Sequence, residues 1–187
     1  MSDLSPELVL PLLRGRLGRP YRFVAECAST QRLLEESDPE GATVAADHQT
    51  DGRGRLGRRW EDAPGRGILC SVLLLPAVEM ARWPELSVVA GGAVAAAIGG
   101  GAVVSHPNDV MLDGLKVAGI LAEASPGRVV LGIGVNVNQT ANELPPETAK
   151  PATSLRLARG HETARAPLLA AILLELERRY DAWCGVS

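Results

Sequence analysis

Aromatic side chains are scarce. They make up 3% of the 187 residues, with one phenylalanine, two tyrosines and three tryptophans. A binder of single-stranded nucleic acid stacks bases on rings, and few rings are available. Net charge is −3, so the broad basic footprint of a nucleic-acid partner is lacking too. Cysteine is limited to Cys27, Cys70 and Cys184, an odd, scattered set without C-x-x-C spacing. That supports neither a disulfide framework nor a cysteine-rich zinc site, and a reducing, cytoplasmic setting is expected. No apolar run approaches the roughly 18 to 20 residues of a spanning helix, and MSDLSPELVL has no basic segment leading into an apolar stretch with a cleavage site. Neither membrane insertion nor secretion is expected. Lysine is the rarest charged residue: 17 of the 19 basic residues are arginine, leaving Lys116 and Lys150. Where most positions needing only positive charge have become arginine, a surviving lysine marks a possible need for a compact ammonium. Lys116 is thus a candidate, with a solvated surface lysine as the plain alternative.

What is present suits one globular domain: 46% of residues are hydrophobic and 22% charged. Pro6 to Leu17 reads as a short lead-in helix limited by Pro11, Gly15 and Gly18. YRFVAEC (Tyr21 to Cys27) alternates as a strand does, and Ser29 with Thr30 then supplies an N-cap for a helix over QRLLEES. Ala42 to Thr50 and Gly67 to Pro76 read as further strands, the second fully buried. Trp83 to Gly101 has apolar spacing of a helix stopped by three glycines, followed by a short strand ending at Pro107. Lys116 to Ser125 and Arg128 to Gln139 fit an antiparallel hairpin, Asn142 to Pro151 a proline-rich loop, and Ala166 to Cys184 an amphipathic closing helix. The expected class is α+β, with a mixed, largely antiparallel sheet backed by helices.

The oddest stretch is GRGRLGRRW (Gly52 to Trp60), where four arginines alternate with glycines. Glycines let backbone N–H groups approach an anion, and guanidinium forks pair with phosphate or carboxylate oxygens. The stretch matches G-x-G-x-x-G, but a dinucleotide fingerprint must open a helix, and EDAPGRG follows instead. A solvated arginine loop is its plain alternative. HPND (His106 to Asp109) presents Asn108 and Asp109 from a turn, and Lys116 follows at the start of the apolar run VAGILAEA, where water screens an ammonium poorly. GIGVNVN (Gly132 to Asn138) places small residues and Asn136 on the adjoining strand. The cysteines and His48, His106 and His161 have no spacing that supports a metal centre or a Cys/His nucleophile.

In order, Ser29-Thr30, ADHQTDGRGRLGRRW, PND, LKVAGILAE and GIGVNVN resemble the catalytic domain of biotin protein ligases, over roughly Tyr21 to the closing helix. The resemblance implies a class II aminoacyl-tRNA synthetase-like fold shared with lipoate ligases. It also implies a two-step reaction in which biotin and ATP with Mg²⁺ give biotinyl-5'-AMP, and a lysine of a biotin carboxyl carrier domain then takes the biotin. By similarity Ser29, Thr30, Gln49, Arg53, Arg55, Lys116 and Gly119 would meet biotin or its carboxyl end. Gly52, Arg53, Gly54, Arg55, Gly57, Arg58, Trp60, Asn108, Lys116 and Asn136 would meet ATP or the adenylate. Lys116, Arg55 and Asp109 would be catalytic, Asp109 as base for the incoming lysine. No fixed protein metal site is implied, since Mg²⁺ would arrive with ATP.

Ser105 and His106 stand where the family usually carries a Lys-Trp pair, which removes one phosphate-side cation. The expected organisation is a single domain over 1–187, with neither an N-terminal DNA-binding segment nor a C-terminal β domain. Homodimers through edge strands occur in the family, though nothing in the sequence selects an interface. Rival readings are a lipoate or octanoate ligase or transferase, opposed by the G-R-G-R-x-G-R-x-W loop, and a catalytically weak biotin-binding or sensing module. A nucleic-acid binder using the arginine loop is disfavoured by charge and by the few aromatics.

Overall fold

Strict alternation of side chains between two faces explains how the sheet is covered on one side and open on the other. A computed structural model describes residues 2–145 and 151–186. Seven strands, β1 (Tyr21–Cys27), β2 (Thr43–Gln49), β3 (Ile68–Leu74), β4 (Val103–Ser105), β5 (Asp109–Leu112), β6 (Leu115–Ser125) and β7 (Arg128–Val135), lie in the order β1-β2-β3-β7-β6-β5-β4. Only β1 and β2 run parallel, and every other neighbouring pair is antiparallel. The helices are α1 (Pro6–Val9), α2 (Leu86–Ile98), α3 (Leu155–Arg159) and α4 (Arg165–Cys184). The expected α+β class, with its mixed and largely antiparallel sheet, is the one observed.

Ile68, Cys70, Val72 and Leu74 of β3, with Val129, Leu131, Ile133 and Val135 of β7, point into one core shared with α2 and α4. In α4 the residues Leu168, Leu169, Ile172, Leu173, Leu176 and Tyr180 recur at three- and four-residue spacing and are buried as one stripe. Helix α2 is apolar on every side because α4 covers one flank and β4, β5 and β6 the other. Its small residues permit that approach: a methyl at Gly91 would sit 3.3 Å from Val104 Cγ1. No helix among the described residues is long and apolar enough to cross a membrane.

On the opposite face one row crosses all seven strands. Pairing aligns Val24, Ala46, Leu69, Gly134, Gly119, Asp109 and Ser105 in sequence from edge to edge. Residues paired across strands share a face, so two adjacent glycines leave a gap in the middle of the row.

Four elements differ from the sequence expectations. The helix expected over QRLLEES is a single 3-10 turn, Thr30–Leu33, and Ser29 makes no side-chain cap bond. Tertiary burial overrides local propensity there, because Leu34 is extended and packs with Ala42, Val44, Leu73 and Val130. Strand β5 was not foreseen. It returns into β6 through Asp113-Gly114, both at positive φ (52° and 77°), a hairpin signal the sequence does contain. Helix α3, capped by the Ser154 side chain, was also unforeseen. The expected proline-rich loop contains a 3-10 turn, Ala141–Glu143, while residues 146–150, Lys150 included, lie outside the described residues.

Arg165, 4% exposed, ties the ends of the chain to the sheet. Its guanidinium pairs with Asp3 and with Asp47 (2.9 Å) and donates to the Gly67 carbonyl (2.9 Å). Arg165→Ala is expected to lower the unfolding free energy by about 3 kcal/mol, the lower end for a broken buried pair because Asp3 and Asp47 retain water. A urea melt with unchanged slope and a lowered midpoint checks this.

Candidate functional site

The open face of the sheet carries a cavity of about 900 Å³. Its polar end is built where the turn after β1 meets β2 and β3. The Thr30 N–H donates to Gln49 Oε1 (2.8 Å) and the Thr30 hydroxyl also reaches that oxygen (3.1 Å). Thr30 Oγ1 lies 2.7 Å from Ser71 Oγ. A hydroxyl has one proton, so with Thr30 donating to Gln49 the Ser71 hydroxyl donates to Thr30. Ser29, Thr30 and Ser71 are all buried, and the network holds the Gln49 amide in one orientation. Ser29 and Thr30 therefore serve the cavity wall instead of the expected helix cap.

The floor is the glycine gap, and an indole fills it. Trp60 Cζ3 would lie 2.7 Å from a methyl on Gly119, and Cε2 2.5 Å from one on Gly134. Both distances are shorter than side chains tolerate, so these two positions exclude anything larger than hydrogen while Trp60 is seated. The Trp60 Nε1–H is buried without a hydrogen-bond partner among the described residues, an incompletely satisfied donor facing a site otherwise equipped for a polar ligand.

At the far end Lys116 Nζ lies 2.8 Å from Asp109 Oδ1, with side-chain exposures of 25% and 10%. The ammonium also stands 5.5 Å from the Trp60 ring centroid, within cation–π range. The backbone of Lys116 is fixed twice by one segment: its N–H donates to the Pro151 carbonyl and its carbonyl accepts from Thr153 N–H, each at 2.8 Å. Asn136 joins the same segment, its Nδ2 donating to the Thr153 carbonyl (3.0 Å). Asn108 donates to the Ile120 carbonyl (3.0 Å), which turns its oxygen toward Arg55, 3.5 Å away.

The arginine loop closes the cavity from above. Arg53 pairs with Glu123 of β6 (2.7 Å), and the apex is a 3-10 turn, Arg55–Gly57. Leu56 there is 87% exposed at φ 59°. Of the residues singled out from sequence, Ser29, Thr30, Gln49, Arg53, Gly54, Arg55, Arg58, Trp60, Asn108, Asp109, Lys116, Gly119 and Asn136 all border this cavity. Gly52 and Gly57 do not: they border a second groove on the outer side of the loop.

Sequence reasoning missed Ser71 and Gln31. Ser71 had a signal, the lone hydroxyl inside ILCSVLLL. Gln31 lies over Gly132, its Nε2 donating to the Leu121 and Val130 carbonyls at 3.3 and 3.4 Å, and was hidden by the expected helix.

Burial pushes the Cys70 thiol up to about 12 and raises those of Cys27 and Cys184, which disfavours the thiolate that a nucleophile needs. His48 faces Asp62, His106 stands at the cavity rim and His161 is exposed. Among the described residues no group of three or more His, Cys, Asp or Glu side chains is arranged to hold a metal ion.

Comparison with known proteins identifies the family and the fold. Residues 24–139 match the model of the Biotin/lipoate A/B protein ligase family. The chain is 40% identical over 177 residues to the bifunctional ligase/repressor BirA of Bacillus spizizenii, covering 88% of this chain and 54% of that protein. To the biotin–[acetyl-CoA-carboxylase] ligase of Mycobacterium tuberculosis it is 36% identical over 178 residues, covering 88% and 65%. The chain thus spans between about half and two thirds of the length of these relatives. The solved biotin protein ligase of Aquifex aeolicus in complex with biotin and ATP superposes with a TM-score of 0.80 at 33% identity, covering 89% of this chain and 72% of that one. With most of its sheet inside the matched span, this chain belongs to the Biotin/lipoate A/B protein ligase family.

Proposed function

We propose that this chain is a biotin protein ligase, in which the biotin carboxylate attacks the α-phosphate of MgATP to give biotinyl-5'-AMP and pyrophosphate, and a lysine amine of a biotin carboxyl carrier domain then takes the biotin as an amide with release of AMP. The observation that carries the reading is the Lys116 ammonium, held 2.8 Å from Asp109 in the same cavity as the polar Thr30-Gln49-Ser71 network and the arginine loop. Joining a carboxylate to an α-phosphate brings two anions together, and a fixed cation between their sites stabilises the charge that develops. The bound biotin and ATP of the Aquifex relative support the same substrates.

In this proposal Ser29, Thr30 and Gln49 orient biotin, with Arg53, Gly119 and Gln31 alongside. Arg55 and Lys116 hold the carboxylate and phosphate oxygens, and Asp109 keeps Lys116 aimed before substrate arrives. Transfer to the acceptor needs an unprotonated amine, and Asp109 is the nearest carboxylate to take that proton. The loop from Gly52 to Arg58 wraps the adenylate and shields it from water. Trp60 walls the adenine side, with Asn108 and Asn136 on the nucleotide's remaining flanks. Mg²⁺ would enter with ATP and supply charge neutralisation at the phosphates. The acceptor domain, cytoplasmic action, a single catalytic domain over this chain and a homodimer belong to the same proposal. Lipoate or octanoate transfer and a weak biotin-sensing module are the competing outcomes.

ATP–pyrophosphate exchange with biotin, lipoate, octanoate or no acid tests the reading. Exchange is expected with biotin and not with the others, and Lys116→Met should reduce it by about 10²–10³. Exchange driven by lipoate or octanoate, or none with any acid by folded protein, would reject the assignment. Transfer from preformed adenylate that is unchanged in Asp109→Asn would remove Asp109 as base. Gly134→Ala should unseat the indole, seen as greater acrylamide quenching of tryptophan emission with unchanged far-ultraviolet circular dichroism, and should weaken exchange.

A further inference from the structure

The arginine loop leaves β2 after Gln49 and returns to β3 at Ile68. Its arms are zipped near the tip by backbone bonds, Trp60 N–H to the Gly52 carbonyl (2.9 Å) and Gly54 N–H to the Arg58 carbonyl (2.8 Å). The ion pairs that link the loop to its surroundings, Arg53–Glu123 and Arg32–Asp51 toward the tip and Arg66–Glu143 and Arg66–Glu162 at its base, all have an arginine that is a third or more exposed. Pairs so exposed contribute little to order. The neck is built differently. Asp62, two residues beyond Trp60, turns its carboxylate back onto β2: Oδ1 lies 2.7 Å from His48 Nδ1, and Oδ2 accepts the Gln49 N–H at 3.0 Å. Gly65 N–H then donates to the Asp47 carbonyl (2.9 Å).

The Asp62 side chain is 1% exposed. Burial pushes its carboxyl up, opposed by the Gln49 N–H and by His48. A carboxylate is seldom kept dry unless its bonds specify a geometry, and this one joins the residue that holds Thr30 to the arm that carries Trp60. Among the described residues neither His48 nor Asp62 borders the cavity.

We propose that Asp62 and His48 form a positioning pair that fixes the arginine loop over the cavity. Together with the Gly65 N–H to the Asp47 carbonyl, one buried carboxylate holds the returning arm against β2 and so sets Trp60 relative to Gln49. The geometry stands without the ligase reading, and only its consequence, retention of the adenylate, rests on it. When the pair is broken the loop opens as a local unit, the sheet and helices stay closed, and the shielding of the mixed anhydride is lost.

Amide hydrogen exchange on the full chain, without ligand, tests this in the wild type, Asp62→Ala, Asp62→Asn and His48→Ala. In Asp62→Ala the loop amides, those of Gly54, Trp60 and Gly65 among them, are expected to exchange on the order of tenfold faster, as loss of a charge-assisted hydrogen bond implies. Amides of β3 and α4 should be unchanged. Asp62→Asn keeps an acceptor oxygen and should restore most of the protection, while His48→Ala, which keeps the Gln49 bond, should fall between. Unchanged loop exchange, or acceleration of β3 and α4 to the same extent, overturns the proposal. Should Asp62→Ala not fold, Asp62→Asn and His48→Ala decide it by the same comparison.

A second readout adds biotin and MgATP and measures biotinyl-5'-AMP in the filtrate, where the loosened loop should raise the released fraction by a similar factor. Failure of the wild type to make any adenylate would reject the ligase reading and leave the exchange result to judge the pair. An unchanged released fraction alongside faster loop exchange would show that the pair orders the loop without retaining the anhydride, which overturns its proposed role.

Discussion

Gly119 and Gly134 stand opposite each other on β6 and β7, and the indole of Trp60 lies where their side chains would be. Much of the site follows from that gap. It lowers the floor of the cavity between two walls of ordinary height, Leu69 on one side and Asp109 on the other, all in one row across the sheet. It lets a loop of arginines descend far enough for its tryptophan to meet the Lys116 ammonium, 5.5 Å from the ring centroid. A cation beside an aromatic face and an apolar floor is screened poorly by water, so its field acts on whatever anion enters.

Such a floor needs a rigid support, and the other side of the sheet supplies it. β3 and β7 drive alternate side chains into the core formed with α2 and α4, so the residues between them are held at fixed heights on the open face. The strand register converts this rigidity into position. Asp109 reaches the level of Gly119 because β5 pairs with β6 at that point, with an irregularity between Val110 and Met111. The segment after Pro151 then locks the Lys116 backbone from outside the sheet. Three separate stretches of chain thereby converge on one ammonium.

Much of this was legible from residues alone. Alternation marked β1, apolar runs marked β2 and β3, and the turn from Ser125 to Gly127 marked the β6–β7 hairpin, whose second strand ends at Val135 rather than at the expected Gln139. The scarcity of lysine drew attention to Lys116, and the glycine-arginine repeat to the loop. The failures share a physical cause. QRLLEES has helical propensity, but Leu34 gains more by packing extended into a small cluster than by completing a helical turn. DVML is too short to show a period, and its Asp-Gly hairpin turn follows only four residues after the equally turn-like HPND. Ser71 is a lone polar residue in an apolar stretch and Gln31 one of several polar residues after β1, so both stood out as site residues only when distant segments were brought together. The buried Asp62 carried no local signal, because nothing in EDAPGRG distinguishes a carboxylate that faces solvent from one turned back onto β2.

The near absence of lysine has one further consequence. A mixed anhydride of a carboxylic acid and AMP acylates amines wherever it meets them, so a catalyst that makes one is exposed to its own product. Here the single lysine among the described residues is engaged with Asp109 inside the cavity, and the outer surface meets solvent with guanidinium groups, which are far poorer nucleophiles. Among the described residues the surface thus offers guanidinium groups rather than ammonium groups to the reagent the cavity is proposed to produce, which lowers self-acylation independently of how well the loop closes.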